Sequence, residues 1–114
     1  MLGLSANLRY FLCSYAVDMR NGFDGLAGIV RNNLQKDPIS GDVFIFINKT
    51  KTHIKLLYWD GDGFALFYKR LERGRYSFTG GNQASIQIKR EELMMILEGL
   101  SYRSMSKKNR FKIS

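Results

Sequence analysis

Between Lys55 and Tyr76 the chain reads K-L-L-Y-W-D-G-D-G-F-A-L-F-Y-K-R-L-E-R-G-R-Y, two aromatic and aliphatic runs on either side of Asp60-Gly61-Asp62-Gly63. Such runs around a Gly/Asp turn predict a β-hairpin. The first run begins at Thr52 and ends at Trp59. Because successive strand side chains point to opposite sides, Ile54, Leu56 and Tyr58 share one face while His53, Lys55, Leu57 and Trp59 share the other. The first face reads as core. The second mixes polar and aromatic groups and suits a half-wet surface or one that receives a partner. Asp42 to Ile47 is a further strand, joined to the hairpin by Asn48-Lys49-Thr50-Lys51, and Phe64 to Leu71 completes the set. Connections this short cannot carry a crossover between parallel strands, so these strands form an antiparallel meander.

Elsewhere the period changes. Asn7 to Ser14 is short and apolar, as a mostly buried strand would be, and Asp18 to Gly22 turns the chain. Phe23, Leu26, Ala27, Val30 and Leu34 then recur at spacings of three and four, predicting a helix over Phe23 to Gln35 that Asp37-Pro38 stops. Gly25 and Gly28 each cost that helix about 1 kcal/mol relative to Ala, which suggests close packing on a flat sheet. After the loop Thr79 to Asn82, Ser85 to Lys89 reads as a strand and Glu91 to Glu98 as a helix ended by Gly99. The expected architecture is a small single α+β domain over residues 1–100, an antiparallel meander sheet of about four to five strands packed with two helices. Residues 101–114 carry Arg103, Lys107, Lys108, Arg110 and Lys112 with no acid, and read as a mobile basic tail.

Composition narrows the class. A chain of 114 residues with 45% apolar content makes one globular domain. No run approaches the ~18 apolar residues of a membrane span, and nothing resembles a signal peptide. Cys13 and His53 are each alone of their kind, so neither an internal disulfide nor a His/Cys zinc set is expected, and a cytoplasmic setting fits. The net charge of +8 and the pI near 9.8 are compatible with a nucleic acid partner and equally leave an anionic membrane or an acidic protein surface open.

Lys69, Arg70, Arg73 and Arg75 fall close together against the single acid Glu72, an arrangement suited to a basic edge following the hairpin. Arg20, Lys51 and Lys55 come next as phosphate or partner contacts. The aromatics Tyr58, Trp59, Phe64, Phe67 and Tyr68 could stack on bases, but sheet aromatics are more often core, and Trp59 at the lip of the turn is the leading exception. Asp60 and Asp62 read as turn aspartates. The enzymatic alternative adds Asp18 to them, or replaces Asp62 by Glu91, as a carboxylate centre for a metal-dependent nuclease. His53 and Cys13 read as ordinary strand residues. No helix-turn-helix, zinc-finger or RNA-binding signature is present, so base-specific reading is not expected.

Four separated segments, Asp18 to Ala27, Ser40 to Phe46, Lys55 to Phe64 and Tyr68 to Tyr76, together with Glu92 to Leu100, resemble in order the small accessory protein, TnpB-type or "second open reading frame", of the bacterial insertion-sequence-sixty-six transposable elements. The resemblance covers about Leu8 to Leu100. It implies a non-catalytic accessory protein of transposition, encoded beside a large transposase. Element DNA and that transposase are then the expected partners, with no cofactor, metal or small-molecule substrate. A pure protein–protein adaptor is the remaining alternative. The chain departs from the family pattern at Lys89, where a small hydroxyl residue would cap the last helix better, and in the tail beyond Leu100.

Overall fold

The structure is a computed structural model that describes residues 4–5, 7–77 and 80–99. The elements run β1 (Tyr10–Cys13), α1 (Phe23–Asn32), β2 (Val43–Ile47), β3 (His53–Trp59), β4 (Phe64–Arg70), β5 (Ser85–Ile88) and α2 (Arg90–Leu97). The five strands make one sheet in the order β4-β3-β2-β1-β5.

The meander is present but does not describe the whole sheet. β2, β3 and β4 are antiparallel neighbours, whereas β1 runs parallel to β2, with Tyr10 opposite Val43 and Leu12 opposite Ile45. β5 returns antiparallel on the outer side of β1. The sheet is therefore mixed. The physical reason is the segment between β1 and β2: it contains α1 and is long enough for the crossover that parallel neighbours require. That strand–helix–strand order was the available signal for a parallel pair.

The crossover decides where the helices lie. α1 covers one face, packing Leu26, Ala27, Val30 and the following Leu34 against Phe11, Cys13, Phe44, Phe46 and Leu57. α2 covers the other, where Leu93, Ile96 and Leu97 join Tyr10, Leu12, Val43, Ile45, Ile47, Ile54, Leu56 and Tyr76. With helices on both sides, β1 and β2 are buried at every position, which is why Tyr-Phe-Leu-Cys and Val-Phe-Ile-Phe-Ile show no polar alternation. β4 and β5 are left as the two edges, and β4 ends in three exposed residues.

Two local expectations change. Gly28 does not mark close packing: a methyl group there would meet nothing within 4 Å, and one at Gly25 would meet the Asn21 side chain rather than the sheet. The helix approaches the sheet through its leucine and valine side chains instead. At the start of α2, Lys89 supplies no cap from its own side chain, but its backbone N–H donates to Glu92 Oε1 at 3.0 Å. That is the reciprocal half of a capping box, contributed by the third helical residue. The basic stretch 101–114 lies outside the described residues.

Candidate nucleic-acid interface

Strand direction sorts the charges. β1, β2 and β4 finish, and β3 and β5 begin, at the same end of the sheet. The loops there hold Arg20 after β1, Lys49 and Lys51 between β2 and β3, and Arg73 and Arg75 after β4, joined by Lys69 and Arg70 from β4 itself. The nearby acids are Asp18, Asp24, Glu72 and Glu98. The opposite end carries Asp37, Asp42, Asp60, Asp62, Glu91 and Glu92. With Arg9, Lys36, Lys89 and Arg90 also at that opposite end, its charges nearly balance, and the excess of positive charge among the described residues gathers at the first end, a separation that the net charge alone does not reveal.

The loops of the basic end are tied together through backbone groups. Leu71 N–H donates to Thr52 O at 2.9 Å and Tyr76 N–H to Lys51 O at 2.7 Å, which lays the segment carrying Arg73 and Arg75 along the β2–β3 turn. Tyr76 anchors it, with its ring only 1% exposed. Burial pushes the phenol of Tyr76 up to about 12. The turn itself is built by Asn48, whose Oδ1 accepts from the N–H groups of Thr52 and His53, and by a left-handed backbone at Lys51 (φ 62°). Between this turn and the β1–α1 loop lies an open groove of about 460 Å³ lined by residues that include Val17, Asp18, Met19, Asn48 and Lys49.

The proposed contact residues separate into distinct environments. Arg73 and Arg75 are exposed, and no hydrogen bond or ion pair to another described residue engages either. Arg70 pairs with Glu72 at 2.9 Å and Arg20 with Asp18 at 2.7 Å, both pairs in solvent. The Arg20 guanidinium and backbone N–H hold the Asp18 carboxyl down at about 2. Exposed pairs of this kind contribute about 0–1 kcal/mol, so a phosphate can replace the carboxylate at little cost.

Lys69 and Arg70 are neighbours on one strand and so point to opposite faces. Arg70 lies on the α1 side. Lys69 reaches the α2 side, where its ammonium donates to Leu97 O at 2.9 Å, a favourable place for a cation at a helix C-terminus. Lys55 differs most from the expectation. It is only 6% exposed, and its ammonium donates to Met19 O at 2.7 Å and Asn21 O at 2.8 Å. The middle of its face is dry, with Leu57 buried under α1 and Lys55 under the β1–α1 loop, whereas His53 and Trp59 at the two ends of β3 stay partly exposed. Lys55 therefore holds the β1–α1 loop to the sheet from beneath, with its ammonium on two backbone carbonyls.

Trp59 lies at the far end of β3, packed edge-on against Phe64 at 5.2 Å. β3 spans seven residues at about 3.3 Å each, which puts Trp59 roughly 20 Å from the arginines. The residue that the sequence did not single out is Tyr68. It is 52% exposed and stands between Lys55 and Arg70 on the α1 side. Its neighbours at i+2 along β4 were the legible signal; its exposure follows from β4 being an edge.

The nuclease alternative loses its geometry. Asp18 follows β1 at the basic end, whereas Asp60 and Asp62 form the hairpin tip at the other end and Glu91 opens α2 there. Among the described residues no group of three or more His, Cys, Asp and Glu side chains could hold a metal ion. No helix among them is long and apolar enough to cross a membrane.

Comparison with known proteins supplies the family. Residues 8–107 match the family model described as IS66 Orf2 like protein. The chain belongs to the IS66 Orf2-like family. Two proteins of Sinorhizobium fredii (strain NBRC 101917 / NGR234) are similar to it over nearly their whole length. The uncharacterized protein y4jC is 33% identical over 108 residues, covering 95% of this chain and 92% of the relative. The uncharacterized protein y4hO is 34% identical over 103 residues, covering 90% of each. No solved structure matches. Membership in the IS66 Orf2-like family points to an accessory role in transposition of an insertion sequence. The match also runs seven positions past Leu100 into the basic C-terminal stretch, so that the first part of this stretch belongs to the family pattern rather than being an addition to it.

Proposed function

We propose that this IS66 Orf2-like protein is a non-catalytic cytoplasmic accessory factor that holds element DNA, the partner transposase, or both, through the basic end of its sheet. The supporting observation is the sorting of charge by strand direction, which gathers Arg20, Lys49, Lys51, Arg73 and Arg75 on three loops bound to one another, beside Arg70 at the end of β4. The C-terminal helix also finishes at this end, with Lys69 on Leu97 O. From Ser101 onward the sequence carries five cations, Arg103, Lys107, Lys108, Arg110 and Lys112, and no acid.

Arginine on loops suits phosphate, because its planar fork meets two oxygens at once and its charge persists at any physiological pH. Binding of this kind tracks the backbone without reading bases, and it weakens steeply with salt. A fluorescence-anisotropy titration of element-end duplex at two salt concentrations tests the DNA contact. The expected result is saturable binding at low salt that weakens at the higher salt. Absence of binding at low salt overturns the DNA half, and co-purification with the transposase after nuclease treatment then carries the adaptor half alone.

A further inference from the structure

The aromatic residue at the basic end has a setting that a phosphate-binding surface alone does not require. Tyr68 lies on β4, an edge strand with no other strand paired on its outer side among the described residues, and half of its surface is open. The ring is nevertheless held. The Lys55 ammonium sits 4.6 Å from its centroid and the His53 ring 5.8 Å away. That ammonium is itself fixed by the carbonyls of Met19 and Asn21.

Those two carbonyls bracket Arg20. The same buried cation thus fixes the Tyr68 ring and the loop from which Arg20 projects with 92% of its side chain exposed. Arg70, two residues along β4, shares the ring's side of the sheet. The result is an aromatic plate with Arg70 on its own strand and Arg20 on the loop that the same lysine holds, each arginine paired among the described residues with an exposed carboxylate.

We infer that Tyr68 is a stacking platform for an unpaired base of single-stranded DNA, with Arg20 and Arg70 on the adjoining phosphates. The inference rests on the DNA-binding reading above and sharpens it. A duplex hides the faces of its bases, so a clamped, open ring among phosphate-binding groups has no use for one. A single strand offers both phosphates and base faces, and stacking tolerates any sequence. Holding the ring in advance removes part of the ordering cost of binding.

The test compares labelled oligothymidylate with a duplex of equal length, by anisotropy at one low salt concentration. Tyr68→Ala is expected to weaken single-strand binding by about 5- to 100-fold and to leave the duplex within about twofold. Tyr68→Phe retains the single strand, and Tyr68→Leu, which keeps apolar bulk without an aromatic face, loses it. Thermal unfolding of each variant confirms the fold, and should Tyr68→Ala not fold, the Phe and Leu pair decides. Arg20→Ala with Arg70→Ala weakens both substrates, and Trp59→Ala changes neither. Equal losses on both substrates in the Tyr68 variants, or no loss on either, overturn the inference and leave duplex binding standing. A wild-type protein that binds neither substrate overturns this inference and the DNA reading together.

Discussion

The ammonium of Lys55, on the third strand, donates to the backbone carbonyl of Asn21 at 2.8 Å across a separation of 34 residues. With its second bond to Met19 O it fastens the β1–α1 loop to the sheet, one residue before the N-cap of α1 at Gly22. Gly22 offers no side-chain cap, so the entry to the helix depends on this clamp. Lys55→Met keeps most of the unbranched side chain and removes the donor. Leaving partly buried carbonyls without a partner costs about 1–3 kcal/mol. Urea unfolding is therefore expected to show a lower midpoint with an unchanged slope. An unaltered midpoint would mean that water serves the loop equally well and that the clamp is unimportant.

The two helix glycines separate a general propensity effect from a local one. At Gly28 an added methyl meets open space, so Gly28→Ala is expected to gain about 0.5–1 kcal/mol from propensity and from a less flexible unfolded chain. At Gly25 the same methyl runs into the Asn21 side chain in the loop that Lys55 holds. Gly25→Ala is expected to gain clearly less, or to lose. Thermal unfolding of the two variants side by side checks the ordering, and equal gains would show that the loop yields freely.

Tyr76 predicts a pH dependence whose sign is fixed. Burial lifts its phenol from the usual 10.0 to about 12, so the folded state holds its proton where the unfolded chain releases it. Stability from this group is complete below pH 10.0 and is lost as pH rises through about 12. Burial also raises Tyr10, which adds to the same trend. Tyr76→Phe gives up a long contact to Lys69 O at 3.4 Å and retains the ring. Its stability should fall less steeply than the wild type across this alkaline window. Parallel profiles from chemical denaturation at several pH values would assign the dependence elsewhere.

Most of the fold was legible because the periodicities are strong: every strand and both helices fall where alternation or the spacing of apolar residues puts them, with ends differing by a few residues. The parallel pairing of β1 with β2 was missed because short loops between β2, β3 and β4 argue for antiparallel neighbours and say nothing about β1. The candidate site was legible only in part. Sequence proximity grouped Lys69 with Arg70, although strand geometry sends them to opposite faces, and it counted Lys55 as a surface cation. The carbonyls that hold Lys55 come from residues far away along the chain, so no local pattern could reveal its burial. Trp59 drew attention as the lone tryptophan beside a turn, but the turn is at the wrong end of the sheet. Tyr68 looked like another core aromatic, and only the strand order exposes it.

The arginines of the β4–β5 connection give the sharpest solution test of the basic end. Arg73 and Arg75 flank Gly74, whose φ of 76° bends the segment outward, and the connection is pinned on either side of them by Leu71 N–H and Tyr76 N–H. Neither arginine bears on the core, so Arg73→Ala with Arg75→Ala should leave thermal stability within about 0.5 kcal/mol of wild type. Each cation that meets a duplex phosphate contributes about 0.9 to the slope of log affinity against log salt. The double variant is accordingly expected to bind element-end duplex more weakly and with a slope shallower by about two units. Neutralisation of the charge at the opposite end, Asp60→Asn with Asp62→Asn, should change that slope by far less. A slope indifferent to Arg73 and Arg75 would show that any DNA contact runs through other cations of the chain, and that strand direction gathered these two for a different partner.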